Sequence, residues 1–349
     1  MEERINLIKQ IEEVQKSRVI CYITSDRPAP LNAQISGDVT PWFYRQLKDI
    51  GHTKRIDLFV YSSGGDTITP WRLVCLIREF CDELGVIIPY KSHSAATLLA
   101  LGADEILMGP LGELSPIDPL ISTPFNPSPS NQPNMSPPPI SVEDVIGYIN
   151  LAKGKERFHL SKQDNLLKVF EKLSDKVHPL ALGATHRSHT LIRLLAENLL
   201  KQCRKEKYKP EEIEKIIKTL AEKLYYHNYL ISRNEAFTLG LKIKHPDKKM
   251  EDLIWDLYLK YGTHMGLTMQ FSPYEYFTDN TVNSIDKEFP IGIIETAKMT
   301  IEGKNKFRFI KTPQPPAIPI PQIQLQGLGF KWGITRPKEE ENAEHKVST

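Results

Sequence analysis

The first third of the chain alternates short apolar runs with segments of helical periodicity. Apolar runs at residues 19–23, 56–61, 86–90 and 106–108 predict buried strands. Between the second and third runs, a helix is predicted from Pro70 to Leu84, with Gly85 as its left-handed cap. Another short helix is predicted over residues 95–101, directly after Ser94. Strands that alternate with helices predict βαβ units, a largely parallel sheet and therefore an α/β fold.

The pattern changes after residue 123. Residues 124–139 contain seven prolines and predict an irregular loop, which is either a solvated excursion or a mobile flap over a nearby site. The periodicity is then helical to about residue 265, and alternating segments such as 306–310 predict strands beyond it. We therefore expect a main domain at 1–265, a small β-rich extension at 266–335 and a disordered polar tail at 336–349.

Composition excludes several classes of protein. A net charge of +2 in 349 residues gives no general attraction to nucleic acid or anionic membranes. The amino terminus lacks the apolar core of a signal peptide, and no run of 18 apolar residues predicts a transmembrane segment. The four cysteines show no CxxC spacing, which indicates reduced thiols and a cytoplasmic location. No HExxH motif or Cys/His pair predicts a metal, and no GxGxxG motif follows a strand, so we expect no cofactor.

Two turns at strand ends could carry chemistry. The first is Ser62-Ser63-Gly64-Gly65, where the glycines permit positive φ and the exposed amides could hold an oxyanion. An ordinary strand-to-helix turn would look the same. The second is Ser94, between a strand and a helix, where the serine is either a nucleophile or simply an N-cap. The Ala95 amide in the first turn of that helix is a further possible oxyanion donor.

Considered together, the two turns are more informative. They lie 30 residues apart, at the carboxyl ends of strands joined by one βαβ crossover, and such a crossover places them side by side. Open α/β sheets have their sites at this edge.

Four blocks of sequence resemble one known family. They are VYSSGGDTITPWRLVCLIREF, VIIPYKSHSAATLLALGADEILMGPLGELSPIDP, HPLALGATHRSHTLIRLLAENLL and HNYLISRNEAFTLGLKI. Over roughly residues 15–265 the chain resembles the serine dehydrogenase proteinase family, which is related to signal peptide peptidase and ClpP. The resemblance implies a crotonase/ClpP-type fold, a peptide or protein substrate and assembly into homo-oligomers. It also implies that Ser94 is the nucleophile, that Gly64 and Gly65 line the oxyanion side, and that Ala95 donates a second N–H.

The general base is not identified by the resemblance. The histidine block of ClpP corresponds best to residues 115–119, which places Asp118 near it. The ClpP aspartate corresponds to Asn228, and an amide cannot accept a proton at neutral pH. His227 is the alternative from a distance, since imidazole titrates near neutrality, although a structural role at a turn is equally compatible with its position.

Lysine and neighbouring histidine bases fit less well. The lysine of signal-peptide-peptidase relatives has no counterpart in PPPISVEDV, and Lys153 and Lys155 come about three turns later, where we expect solvated helix ends. Lys91 and His93 are close to Ser94 in sequence, but successive residues of a strand point to opposite faces.

Three functions remain open at this point. The leading one is a serine peptidase or hydrolase acting by acyl transfer through Ser94. The second is a peptide-binding or scaffold protein that keeps the fold without a competent base. The third, an acyl-CoA enzyme of the crotonase type, ranks last, because the equivalent turns carry no pair of carboxylates.

Overall fold

The computed structural model of the chain describes residues 1–127, 138–153, 163–224, 229–277, 282–312 and 322–336. The helices in these ranges are α1 (Glu2–Gln15), α2 (Thr40–Ile50), α3 (Thr69–Arg78), α4 (Ala95–Leu101), α5 (Val142–Lys153), α6 (Gln163–Ser174), α7 (Pro179–Lys201), α8 (Pro210–Lys218), α9 (Arg233–Leu239) and α10 (Lys248–Met265). The strands are β1 (Arg18–Thr24), β2 (Thr53–Tyr61), β3 (Cys81–Ile88), β4 (Lys91–Ser92), β5 (Glu105–Met108), β6 (Glu113–Leu114), β7 (Leu120–Ile121), β8 (Ile140–Ser141), β9 (Ile231–Ser232), β10 (Ile243–Lys244), β11 (Ser284–Glu295), β12 (Thr300–Thr312) and β13 (Gln322–Thr335).

The main sheet has eight strands in the order β10-β5-β3-β2-β1-β11-β12-β13. The five strands from β10 to β1 are parallel, as the alternation of strands and helices predicts. Strand β11 pairs antiparallel with β1, and β12 and β13 continue as an antiparallel meander. The predicted α/β class with a β-rich carboxyl-terminal part is confirmed. The domain boundary at residue 265 stays a prediction.

Helices cover both faces of the parallel sheet. Strand β2 shows the reason, because its side chains alternate between two cores. Leu58 and Val60 pack in a core that also contains residues of α2, α3, α4, α7 and α8. Phe59 and Tyr61 pack in a second core with residues of α1 and α10. Burial on both faces explains why these strands read as continuous apolar runs.

The helix predicted from Pro70 to Leu84 is too long, and the cap predicted at Gly85 is wrong. The helix ends at Arg78, and residues 81–88 form strand β3, which pairs with β2. Gly85 lies inside that strand, where a Cβ atom would stand 1.9 Å from Asp57 Oδ1. The glycine therefore makes room for a buried carboxylate on the neighbouring strand, a contact that helical periodicity cannot reveal.

The proline-rich loop at 124–139 is only partly described, since residues 128–137 lie outside the described ranges. At its base β7 pairs with β8. Asn126 is buried, and its amide nitrogen donates to the carbonyl oxygens of Ile121 and Pro138, at 2.7 and 2.9 Å. Asn126 at the start of the loop is therefore packed against the base of the loop, while the solvated excursion and the mobile flap both stay predictions for the rest of it.

The meander carries a compact group of charges. Glu302 on β12 accepts from His264 Nε2 at 2.5 Å and lies 3.0 Å from Lys304 Nζ. Burial alone would raise the pKa of Glu302, but the hydrogen bonds from these two neighbours hold it at about 2.

Two further expectations concern the ends of the chain and membranes. Residues 337–349 lie outside the described ranges, so the disordered tail stays a prediction. Among the described helices, none is both long and apolar enough to cross a membrane.

Candidate active site

The two sequence turns meet at the carboxyl edge of the parallel strands. The Ser62 amide donates to the Lys91 carbonyl oxygen at 3.0 Å, and the His93 amide donates to the Ser62 carbonyl oxygen at 3.0 Å. These two bonds align the end of β2 with the segment that leads into Ser94. The juxtaposition expected from a single βαβ crossover is present.

Both glycines of the first turn occupy places that no side chain fits. A Cβ atom on Gly64 would stand 2.8 Å from Ser94 Cβ and 2.9 Å from the His93 carbonyl oxygen. On Gly65 it would stand 2.2 Å from the Ile35 carbonyl oxygen. Their φ angles of +106° and +151° also favour glycine. The Gly-Gly pair thus allows the backbone of this turn to lie directly against Ser94.

Ser94 has a strained backbone. Its φ of 51° and ψ of −112° lie outside the regions that residues with a Cβ ordinarily adopt. It precedes α4, yet its side chain makes no capping hydrogen bond. Instead its amide donates to Ser115 Oγ at 2.8 Å. The simple N-cap interpretation therefore does not account for this serine, and strain of this kind is concentrated at functional sites.

The amides around Ser94 differ in availability. The Gly64 amide donates to Ser62 Oγ at 3.1 Å, so it is already used. Ile35 bonds the Gly64 carbonyl and the Asp66 amide, and Gly65 between them therefore directs its own amide to the opposite side. The Ala95 amide is in the first turn of α4, where no intrahelical acceptor exists. Among the described residues, the Gly65 and Ala95 amides are consequently the two beside Ser94 that remain available.

Residues 115–118 pack against the turn that contains Ser94, and Ser115 forms hydrogen bonds with it. The Thr97 hydroxyl donates to the Ser92 carbonyl oxygen at 2.8 Å, lies 3.1 Å from the Ser115 carbonyl oxygen and accepts from the Ser115 amide at 3.1 Å. Asp118 is buried in the same segment. Sequence reasoning placed this segment near the site through the family resemblance, but it missed Thr97 and Ser115. Thr97 lies in the first turns of α4 and Ser115 directly after β6, so the pattern of hydrophobic positions gives no sign that they meet.

The two basic residues nearest Ser94 in sequence are each paired with an acid. Lys91 Nζ lies 2.7 Å from Asp26 Oδ2. Burial opposes its charge, but the Asp26 carboxylate raises the Lys91 pKa, so the ammonium keeps its proton. His93 Nε2 lies 2.9 Å from Glu113 Oε1, and burial raises the pKa of that carboxyl. The Glu113 partner was missed from the sequence.

Most of the other candidates for the base lie outside the described residues. His227, Asn228 and Lys155 lie outside the described residues. Lys153 is exposed at the end of α5, as expected for a solvated helix end. Within the part of the chain that the structure describes, no group of three His, Cys, Asp or Glu side chains could hold a metal ion.

The amino-terminal part of the chain is similar to a known protein family. Residues 1–132 match the ClpP-like SDH-type serine proteinases. This match covers the amino-terminal part of the chain. The family resemblance is thereby confirmed for the first two of the four sequence blocks, and the mixed α/β architecture is consistent with a ClpP-like fold. The matched range includes both turns of the candidate site.

Two relatives are similar over a longer stretch of the chain. Both are uncharacterized proteins of Methanocaldococcus jannaschii. One is 23% identical over 282 residues, which cover 79% of this chain and 85% of the relative. The other is 22% identical over 246 residues, which cover 69% of this chain and 71% of the relative. The similarity thus continues beyond the range that matches the SDH-type family.

Proposed function

We propose that this protein is a serine peptidase in which Ser94 is the nucleophile. The observation that carries the proposal is the strained backbone of Ser94, held at a strand-to-helix turn directly against Gly64. A serine that merely capped a helix would need neither the strain nor the contact. The family match supports the same chemistry.

The reaction would proceed by acyl transfer. Ser94 Oγ attacks the peptide carbonyl carbon, its proton passes through a base to the leaving amine, and an ester with Ser94 remains until water hydrolyses it. Negative charge develops on the carbonyl oxygen in both steps. Amides of Gly65 and Ala95 are proposed to hold that oxyanion, which removes about 3–4 kcal/mol from the barrier per donor in comparable sites.

The base is proposed among three residues. Asp118 comes from the sequence comparison with ClpP, and His227 is the histidine from a distance, whose imidazole titrates near neutrality. His93 is added because a carboxylate, Glu113, lies 2.9 Å from its ring, and a histidine oriented by an acid is the usual partner of a serine nucleophile.

A fluorophosphonate probe tests the nucleophile directly, because it reacts with activated serines. The native protein should become labelled on Ser94, as located by mass spectrometry of the digested protein. Ser94→Ala should abolish labelling and any peptidase activity while the protein stays folded. Ser188→Ala, a serine change within α7, is the matched control and should label like the native protein. Full labelling or full activity of Ser94→Ala would refute the assignment.

A peptide-binding or scaffold protein is the second candidate. It is favoured by one observation: among the described residues, no side chain makes a hydrogen bond to the Ser94 hydroxyl. A protein of this kind would bind extended peptides at the same turn with no labelling and no turnover. The probe experiment therefore separates the two candidates, since only an activated serine reacts.

We further propose that the proteinase domain spans residues 1–265 and that the protein is a homo-oligomer. Helix α7 supports the second point, because Leu195 and Leu199 are buried in the fold while Leu194 remains 51% exposed on the same helix. Leu167 and Phe170 on α6 are exposed as well. Light scattering should give a mass well above 40 kDa, and a monomer over a wide concentration range would contradict the proposal.

A further inference from the structure

A cavity of about 430 Å³ lies beside the carboxyl end of β1, on the far side of the segment that bonds the Gly64-Gly65 turn. Residues 32–39 form one wall, and β13 supplies two aromatic rings to the other. Its volume is in the range of small-ligand sites, and its lining combines aromatic surface with a few polar groups. The proposed hydrolytic chemistry makes no use of it.

One buried polar atom in the lining lacks a partner. Tyr22 is 1% exposed, and its hydroxyl makes no hydrogen bond among the described residues. The Ser36 amide lies near the hydroxyl oxygen but could only donate to it, so the hydroxyl hydrogen would still lack an acceptor. An unpaired buried donor is costly, and a ligand that offers an acceptor would satisfy it.

The described lining of the cavity also carries a single formal charge. Asp38 is the only lining residue with a formal charge, and no Lys or Arg is among the described residues of the lining. Trp332 Nε1 donates to Asp38 Oδ2 at 2.9 Å, and Ser36 Oγ donates to Oδ1, so two hydrogen bonds orient the carboxylate. A carboxylate has further lone pairs, and these would accept from a cationic group.

Aromatic surface completes the lining. Phe330 is 46% exposed, and its ring stands edge-on to Trp332 at a centroid distance of 5.4 Å. An exposed ring beside an oriented acid suits a ligand that carries an apolar group and a positive charge close together.

We propose that this cavity binds the amino terminus of a peptide. The ammonium group pairs with Asp38, the first carbonyl oxygen accepts from the Tyr22 hydroxyl, and the first side chain lies against Phe330 and Trp332. A free amino acid fits less well, because its carboxylate would meet Asp38 with no cation in the lining to offset the repulsion.

The site lies close to the Ser94 turn but does not depend on it. Thr24 lines the cavity, and its hydroxyl donates to Ser62 Oγ at 2.7 Å, the same atom that accepts from the Gly64 amide. Binding can therefore be measured with Ser94→Ala protein, in which no peptide is cleaved. A failure of the peptidase assignment would leave this result untouched.

Calorimetric titration of Ser94→Ala protein with the dipeptide phenylalanyl-alanine tests the site. We expect saturable binding that is at least about tenfold weaker for the N-acetylated dipeptide and several-fold weaker for phenylalanine. Asp38→Asn and Tyr22→Phe should each weaken dipeptide binding at least threefold. Asp175→Asn, an exposed acid beyond α6, is the matched control and should leave binding unchanged.

Trp332→Phe keeps a ring but removes the N–H that orients Asp38, and it should also weaken binding. Thermal melting verifies that each variant is folded. Equal binding of the acetylated and free dipeptides, native affinity in folded Asp38→Asn protein, or no binding at millimolar dipeptide would overturn the proposal.

Discussion

Replacing Ser94 by glycine should give a more stable protein than replacing it by alanine. Both changes remove the hydroxyl, so the comparison isolates the Cβ atom. At φ 51° and ψ −112° that atom is the source of the backbone strain, and glycine has none.

The expected difference follows from two opposing terms. A residue with a Cβ in a sparsely populated region costs on the order of 1–3 kcal/mol. The greater freedom of glycine in the unfolded chain destabilises the glycine variant by about 0.5–1 kcal/mol and offsets part of that difference. The free energy of unfolding of Ser94→Gly should therefore exceed that of Ser94→Ala by about 1 kcal/mol.

Urea denaturation followed by circular dichroism measures the difference. With a slope of about 3 kcal/mol per molar, the midpoint should rise by about 0.3 M in the glycine variant. Ser188 within α7 provides the matched control, because glycine in a helix should be about 1 kcal/mol less stable than alanine. An alanine variant as stable as the glycine variant at position 94 would show that the turn is unstrained and would remove the main support for the nucleophile.

Three further predictions concern the turn, the base and the meander. Gly64→Ala should abolish probe labelling and cost about 2 kcal/mol or more, because its Cβ would collide with Ser94. Gly240→Ala is the control, because Gly240 shares the positive φ but has open space around its Cβ, and this variant should keep its probe labelling. Loss of labelling in both variants would show that the positive φ, and not a collision with Ser94, causes the effect. If a histidine is the base, either His93→Ala or His227→Ala should lower the rate of acylation at least about a hundredfold while the protein stays folded. Unchanged rates in both variants would exclude these histidines as the general base. The pKa of Glu302 is depressed in the folded state, so its contribution of up to about 3 kcal/mol to the free energy of unfolding is present above pH 5 and is lost as the pH falls toward 2. In Glu302→Gln protein the urea midpoint should therefore change less with pH between 5 and 2 than in the native protein. An equal pH dependence of the two midpoints would contradict the depressed pKa.

Local sequence determined the parallel core of this protein. The strand segments 58–61 and 106–108 are apolar at every position because both faces are covered, and such runs can be read without a structure. The adjacency of the two turns also followed, since a crossover of 30 residues between parallel strands has one hand and brings their ends together. Ser94, Gly64 and Gly65 could therefore be identified as candidate site residues from the sequence.

Tertiary structure decided what lies around those residues. The end of α3 at Arg78 depends on residues 81–84 pairing with β2, which outweighs their helical periodicity. The Glu113 partner of His93 depends on the pairing of β4 with β6, a contact between segments 20 residues apart. Periodicity reports which face of an element is buried, whereas these contacts arise from the register between elements. Register is set by the packing of the whole sheet, and for that reason only the folded chain reveals it.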